Sequence, residues 1–463
     1  MKIIGLLGIL LVIVWGTASA APGVLDRYIE DGLENNLALK QVDFSLEKSR
    51  AALREARGLF FPSIGINARY TRAGGGRNFE FPVGDMVNPI HDALNQLIGE
   101  PQFPTDVPNV NTPLLREEEH DTRIGVVQPI FQPAIYYNYR INTHLTSAGE
   151  AAREVFKQDL ILEIKAAYHS YIKAVEFVRL MDRTEGLLIE NLRVSRSLFE
   201  NDKATKDVVY RAEAELSEIE QQKAEAEKGK RLAGAYFNFL LNRPLDSAIE
   251  IAVPETLPPG PAPETAALFD QALAKRYEPA QLRSGIEAAR SGVRLSQSSY
   301  LPNVILAFDY GYEGEIYRFG EEDDFWTGSL VLQWDLFSGL QRKARVDQAR
   351  AEESKLAAQL EELEQAIRLE IREVRENLIV ARETHEAAED RLKSATKSFE
   401  IVNRKYREGM VPQIEFLDAR VTMTRAEVNL IVKTFDYHTR YAEYERAIGH
   451  DPLRTRQGDA ADE

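Results

Sequence analysis

Few side chains in this sequence are spaced for chemistry, and the clearest pair is acidic. Glu415 and Asp418 follow Pro412 in a helical stretch and lie three residues apart, so both carboxylates share one helix face. A helix start also suits acids through its dipole, so a solvated helix end is the plainer explanation of the same pair. Other constellations are missing. The seven histidines are scattered, and His385-Glu386 is followed by Glu389 rather than by the second histidine of a zinc-binding His-Glu-x-x-His arrangement. No Gly-x-Ser-x-Gly elbow or Walker A loop occurs, and Ala73-Gly74-Gly75-Gly76 lacks the helix and lysine that a phosphate site needs. With no cysteine, thiol catalysis, disulfides and thiolate metal sites are excluded. The expectation is a protein with no catalytic residues, no cofactor and no metal, and not an enzyme.

The chain has 463 residues, 44% hydrophobic and 28% charged, which is ordinary for a folded protein. A net charge of −16 argues against a nucleic-acid partner and for a solvated acidic surface. Residues 1–20 read as a cleaved signal peptide: Lys2 precedes an apolar run from Ile3 to Trp15, and Ala18-Ser19-Ala20 supplies the small-x-small site. An uncleaved anchor is the alternative, but the run is short for a spanning helix. No cysteine follows the cut to carry a lipid. Nor does any later stretch hold eighteen apolar residues, so a chain that crosses a membrane must do so with strands.

The elements that position the acids come in two copies. Leu59-Phe60-Phe61-Pro62-Ser63-Ile64-Gly65-Ile66 and Ser299-Tyr300-Leu301-Pro302-Asn303-Val304-Ile305-Leu306 each take a helix through a proline into an alternating strand. Each is followed by a second strand, a very long helix, a short turn and a return helix. The first repeat spans 21–245, with a helix over 25–60, strands near 62–72 and 122–131, an insert at 73–121 and a turn at 200–206. Within the insert, Asn88 to Ile98 has room for one short helix. A proline-rich linker covers 246–264. The second repeat spans 265–453, with strands near 302–313 and 325–337 and a turn at 408–412; residues 454–463 are expected to be a disordered tail. In the second long helix, Leu356, Leu360, Leu363, Ile367, Ile371, Val374 and Leu378 step by three or four, a narrow coiled-coil-like seam.

The last two strands are long enough to cross a bilayer when tilted, and carry Phe308, Tyr310, Tyr312, Trp326 and Trp334. Half of a soluble antiparallel sheet would alternate in the same way. The signal peptide, the aromatics and the small number of strands favour the membrane. Four strands cannot close a barrel, and an open edge cannot lie in lipid, so several copies are needed. Two copies give a barrel filled by its own side chains; three leave room for a pore.

Strand-to-helix signatures at Gln128-Pro129-Ile130-Phe131 and Asp335-Leu336-Phe337-Ser338-Gly339 complete the pattern, with Tyr406-Arg407-Glu408-Gly409 followed by Phe416-Leu417-Asp418-Ala419 near the second turn. In order and spacing, over essentially all of its mature length, the chain resembles the TolC-like outer-membrane efflux proteins. The resemblance implies a mainly α fold with a small transmembrane β part. Duplicated helical hairpins would form a periplasmic α-barrel, and four strands per chain would enter the twelve-stranded outer-membrane β-barrel of a homotrimer. It further implies a passive exit duct for efflux or type I secretion, set in outer-membrane lipid. Its partners would be a periplasmic adaptor (membrane fusion) protein and an inner-membrane pump of RND, ABC or MFS type. Carried over by position, Glu415 and Asp418 fall at the acidic constriction of the periplasmic entrance. Tyr406 would help hold that entrance closed, with Asp207 as partner. Val411 stands where some members place a latch arginine. The turns Asn201, Asp202, Lys203, Ala204 and Gly409, Met410, Val411 would meet the adaptor. The rival reading is a non-conducting, secreted coiled-coil spacer of the envelope.

Overall fold

Proline and glycine punctuation cuts this chain into a few very long elements. The computed structural model describes residues 23–252 and 256–450; the expected signal peptide, Pro254 and the tail at 454–463 lie outside these. In chain order the elements are α1 (Val24–Asn35), α2 (Leu37–Gly58), β1 (Ser63–Arg72), β2 (Asn78–Phe81), α3 (Val83–Ile98), β3 (Val110–Pro113), β4 (Glu118–Phe131), α4 (Pro133–Glu200) and α5 (Lys206–Leu240). There follow α6 (Ala266–Lys275), α7 (Tyr277–Ser298), β5 (Asn303–Gly314), β6 (Asp324–Gln333), α8 (Gln341–Arg407) and α9 (Gln413–Ala447). Two units can be separated. A strand-bearing unit holds Ser49–Thr146 and Gly285–Lys355, and a helical unit holds the other described residues.

In the strand-bearing unit, β1, β4, β5 and β6 form one antiparallel sheet in the order β1-β4-β5-β6. Its register turns the alternation into two unlike faces. Ile66, Ile124, Tyr310 and Trp326 stand in one row across all four strands, and Ile64, Val126 and Phe308 in the next. On the other face the rows are Gly65, Gly125, Asp309 and Thr327, then Asn67, Arg123, Gly311 and Phe325. Gly311 is required by packing: a Cβ there would lie 2.4 Å from the Thr122 carbonyl oxygen. No other described residues cover the apolar face. Ile66 is 73% and Trp326 70% exposed, so the rows that would build a core in a soluble sheet face outward here.

Three details differ from the sequence expectation. β4 starts at Glu118 rather than 122, because Glu118 and Glu119 pair across the strands with Arg72 and Arg69 at 3.9 and 3.4 Å. β6 ends at Gln333, and the Trp334 indole beyond it donates to the Tyr300 carbonyl at 3.0 Å. The insert is more ordered than a loop. β2 pairs with β3, and α3 begins at Val83, with Asn88 and Asn95 bonding the backbone at Val107 and Phe103.

The helical unit is held by a core in which Ile29, Ile164, Ile172 and Phe237 are fully buried. Each such side chain contributes roughly 1.5–3 kcal/mol of burial. The single helix expected over 25–60 is two helices. Asn36 leaves the helical region (φ −57, ψ 126), its side chain accepts from the Leu39 N–H at 2.9 Å, and its amide donates to the Leu240 carbonyl at 2.8 Å. Arg276 makes the matching break between α6 and α7, and its guanidinium reaches the Ala447 carbonyl at 3.3 Å. Asn36 and Arg276 are as far apart in sequence as Pro62 and Pro302. The repeat therefore uses one joint twice: a buried polar side chain caps the C-terminal end of each return helix, once with an amide and once with a guanidinium.

Arg276 also pairs with Glu278 at 2.6 Å and Glu370 at 2.7 Å, and Arg446 joins the same network through Glu278, Glu370 and Asp159. Buried charges are held in place by such pairing.

Candidate functional site

The two hairpin tips share one backbone design. At the first, Asp202 takes a left-handed conformation (φ 56), and Lys203 N–H reaches back to the Leu198 carbonyl at 2.8 Å. At the second, Gly409 does the same (φ 74), and Met410 N–H reaches the Lys405 carbonyl at 2.8 Å. These are Schellman-type closures, which satisfy the last carbonyls of α4 and α8. Thr205 then precedes α5, its hydroxyl bonded to Asp207, and Pro412 precedes α9. Asn201, Asp202, Lys203, Gly409 and Met410 are exposed, while Ala204 and Val411 are half-buried.

Glu415 and Asp418 both project from the first turns of α9 into solvent, and neither has an ion-pair partner among the described residues. Their neighbours on the inward face are the anchors. Phe416 and Leu417 are buried, and Phe416 stacks on Tyr406 with ring centroids 4.9 Å apart. Arg420, also buried, binds Glu215 of α5 at 2.6 Å. Burial pulls its guanidinium below the ordinary arginine range, against the opposing pull of Glu215. The carboxylates are thus free of the chain's own cations while the helix that bears them is clamped from behind.

Tyr406 and Asp207, paired by the resemblance, are not brought together within one chain. Asp207 is exposed and bonded to Thr205. Tyr406 is buried, with its hydroxyl 3.4 Å from the Asn191 amide and 3.5 Å from the Ser195 hydroxyl of α4. Gln413, the first residue of α9, completes a polar knot. Its amide donates to the Val208 carbonyl of α5 at 3.0 Å and to Ser195 at 3.2 Å. Two side chains of α4, one each of α8 and α9, and a backbone carbonyl of α5 therefore meet in a buried site. Sequence reasoning missed Asn191, Ser195 and Gln413. The signal was present: Asn191 and Ser195 are one turn apart on the stripe that also buries Leu188 and Leu192, and polar residues on a buried stripe need partners.

Where strands meet helices in the strand-bearing unit, Phe60, Phe61, Phe131, Tyr136, Tyr300 and Trp334 are all exposed. An aromatic belt bordering an outward apolar sheet is the pattern of strands that cross a bilayer. No helix among the described residues is long and apolar enough to do so. The class of protein indicated is one with membrane-type strands and long helical hairpins.

Comparison with known proteins reaches the same class. Residues 268–450 match the Outer membrane efflux protein family. The alkaline protease secretion protein AprF of Pseudomonas aeruginosa is 23% identical over 237 residues, 50% of this chain and 49% of AprF, so the alignment spans about half of that relative. A membrane protein from Pseudomonas aeruginosa superposes with a TM-score of 0.76 at 16% identity, over 92% of this chain and 94% of that one. The CmeC outer membrane channel of Campylobacter jejuni gives 0.74 at 15% identity, over 94% and 89%. At such identities the superpositions establish the fold. The family match covers residues 268–450, and the superpositions show that the chain as a whole shares the fold of these proteins.

Proposed function

We propose that the protein is the passive exit duct of a tripartite exporter, assembled as a trimer. The observation that carries this reading is the sheet: a continuous apolar face on four strands, with β1 and β6 left as unpaired edges. In lipid those edges must be paired, and head-to-tail addition of β6 to the β1 of the next copy keeps the antiparallel order. Three copies supply twelve strands, enough to leave a lumen lined by the glycine, asparagine, aspartate and threonine face. The helical unit would line the periplasmic part of the path. Its exposed turns at 201–204 and 409–411 suit docking by an adaptor, which would link the duct to an energised inner-membrane pump.

Glu415 and Asp418, solvated and without a cationic partner, serve as the constriction. Three copies would set six carboxylates about one axis, attracting cations and resisting anions. Purified protein should run as a heat-sensitive trimer and give cation-preferring conductance in planar bilayers. Glu415→Ala combined with Asp418→Ala should lower cation selectivity and weaken block by multivalent cations. Unchanged selectivity would remove the pair from the constriction. Trimers that insert but never conduct, with or without the double substitution, would favour the envelope-spacer reading.

A further inference from the structure

A cleft between the start of α4 and the end of α7 concentrates positive charge that the chain does not neutralise. The cavity is about 170 Å³, and Arg140, Arg290 and Arg294 all line it, together with Tyr136 and Tyr137. Glu287 is its one acidic wall residue. Arg290 is spoken for, held by Glu287 at 2.5 Å and Glu353 at 3.0 Å. Arg140 and Arg294 have no hydrogen-bonded or ion-paired side chain among the described residues. Guanidinium groups gathered in a partly enclosed space repel one another unless an anion sits between them, and their planar forks match phosphate oxygens.

Position narrows the ligand. Arg140 lies seven residues after Pro133, where α4 leaves β4, which is about 10 Å along a helix. Arg294 lies eight residues before Pro302, where α7 hands over to β5. Tyr136, which is exposed, belongs to the aromatic belt below the sheet. Aromatics mark the interface of a bilayer, and charged groups just beyond it reach the headgroup phosphates.

We propose that this cleft is a binding site for a phosphate group, normally the phosphodiester of an anionic phospholipid in the periplasmic leaflet. Arg140 and Arg294 grip the phosphate oxygens, and the Tyr136 ring borders the site at the interfacial level. The choice of a lipid as the source rests on the outer-membrane reading above; the phosphate chemistry does not. With a volume below that of a drug-sized pocket, the cleft suits a headgroup phosphate rather than a whole cargo molecule.

The test uses the full chain, purified as its native oligomer in detergent and titrated in native mass spectrometry. Ligands are a phosphatidylglycerol, a diacylglycerol with the same tails and no phosphate, and inorganic phosphate. Phosphatidylglycerol should bind and diacylglycerol should not. Arg140→Gln with Arg294→Gln should weaken phosphatidylglycerol binding about tenfold or more, the scale of losing charge-assisted hydrogen bonds. Glu287→Gln should strengthen it, because the one acidic wall residue loses its charge and Arg290 keeps only Glu353 as a partner, and a gain cannot come from misfolding. Binding of inorganic phosphate alone, with the same dependence on the variants, would keep the site and assign it to a soluble anion. Equal binding by wild type and all variants, or none by any, would overturn the proposal. Planar-bilayer conductance recorded on the same preparation separates this outcome from a failure of the duct reading, since a chain that does not conduct can still be scored for phosphate.

Discussion

The two hairpin tips have the same backbone and different equipment. Asp202 and Gly409 close them with the same left-handed residue, and Asn242 and Gly449, equally far apart in sequence, close the return helices. At matched positions, however, the first tip carries Phe199, Val208 and Arg211, and the second carries Tyr406, Glu415 and Asp418. Phe199 is 40% exposed, whereas Tyr406 is buried against Phe416 and the polar face of α4. The main-chain closure survived duplication because its hydrogen bonds demand only a residue tolerant of positive φ. The side chains were then free to diverge, so that one tip became the socket and the other the plug.

The largest expected difference follows from that division. Tyr406→Ala removes a buried ring and leaves Asn191 and Ser195 short of a partner, so it should destabilise the tips by about 3–5 kcal/mol. Phe199→Ala should cost under about 1 kcal/mol. Hydrogen exchange of the amides flanking both turns measures each, and equal losses would break the comparison.

A second measurement sets the tips against the middle of the helical unit, where His169 stacks on His438 with centroids 4.9 Å apart. Burial first, then the charges of His438 and Lys165, hold His169 down at about 3. The unfolded chain keeps an ordinary histidine near 6.5 and so takes up the proton first. The stabilisation is complete above about pH 6.5 and fades as acid is added, by about 2 kcal/mol at pH 5. Amides around His169 should lose protection between pH 7 and 5, and His169→Gln should flatten that dependence. The knot of Tyr406, Gln413, Asn191 and Ser195 contains no histidine, so tip protection should hold. Matching losses at both places would show that the two regions open together.

The smallest effect concerns the closures themselves. Gly409→Ala forces a Cβ into φ 74 and should cost about 1–2 kcal/mol. Asp202→Gly relieves the same strain in the folded state but loosens the unfolded chain, leaving a net change of under about 1 kcal/mol. Urea-gradient proteolysis at the two turns would rank them.

Much of this was visible in the sequence because the strands and turns are local. Period-two alternation marked the two faces of the sheet, and Gly409 with Pro412 marked a turn whatever the tertiary context. The break at Asn36 was not, because Asn36 ends one helix by bonding Leu240, more than two hundred residues away. A local trace existed in the Asn35-Asn36 pair, since asparagine both caps and interrupts helices. β2 and β3 are four residues each and find one another across α3, a pairing that short polar segments do not announce. The expected contact of Tyr406 with Asp207 was drawn from matched positions. Within one chain Tyr406 meets the amide and hydroxyl of α4, whose places on a buried stripe become legible only once that stripe is known to be buried.

The unpaired edges of the sheet have a genetic consequence. A ring closed by a single kind of joint has no spare: every copy must offer a sound β1 to one neighbour and a sound β6 to the other. A copy crippled at one edge still enters assembly through its good edge and spoils the ring it joins. In the trimer proposed above, with equal amounts of intact and defective chains, roughly one ring in eight would be whole. Lesions in Trp326 or Leu330 would then behave as dominant, while lesions that prevent the chain from folding at all would be recessive.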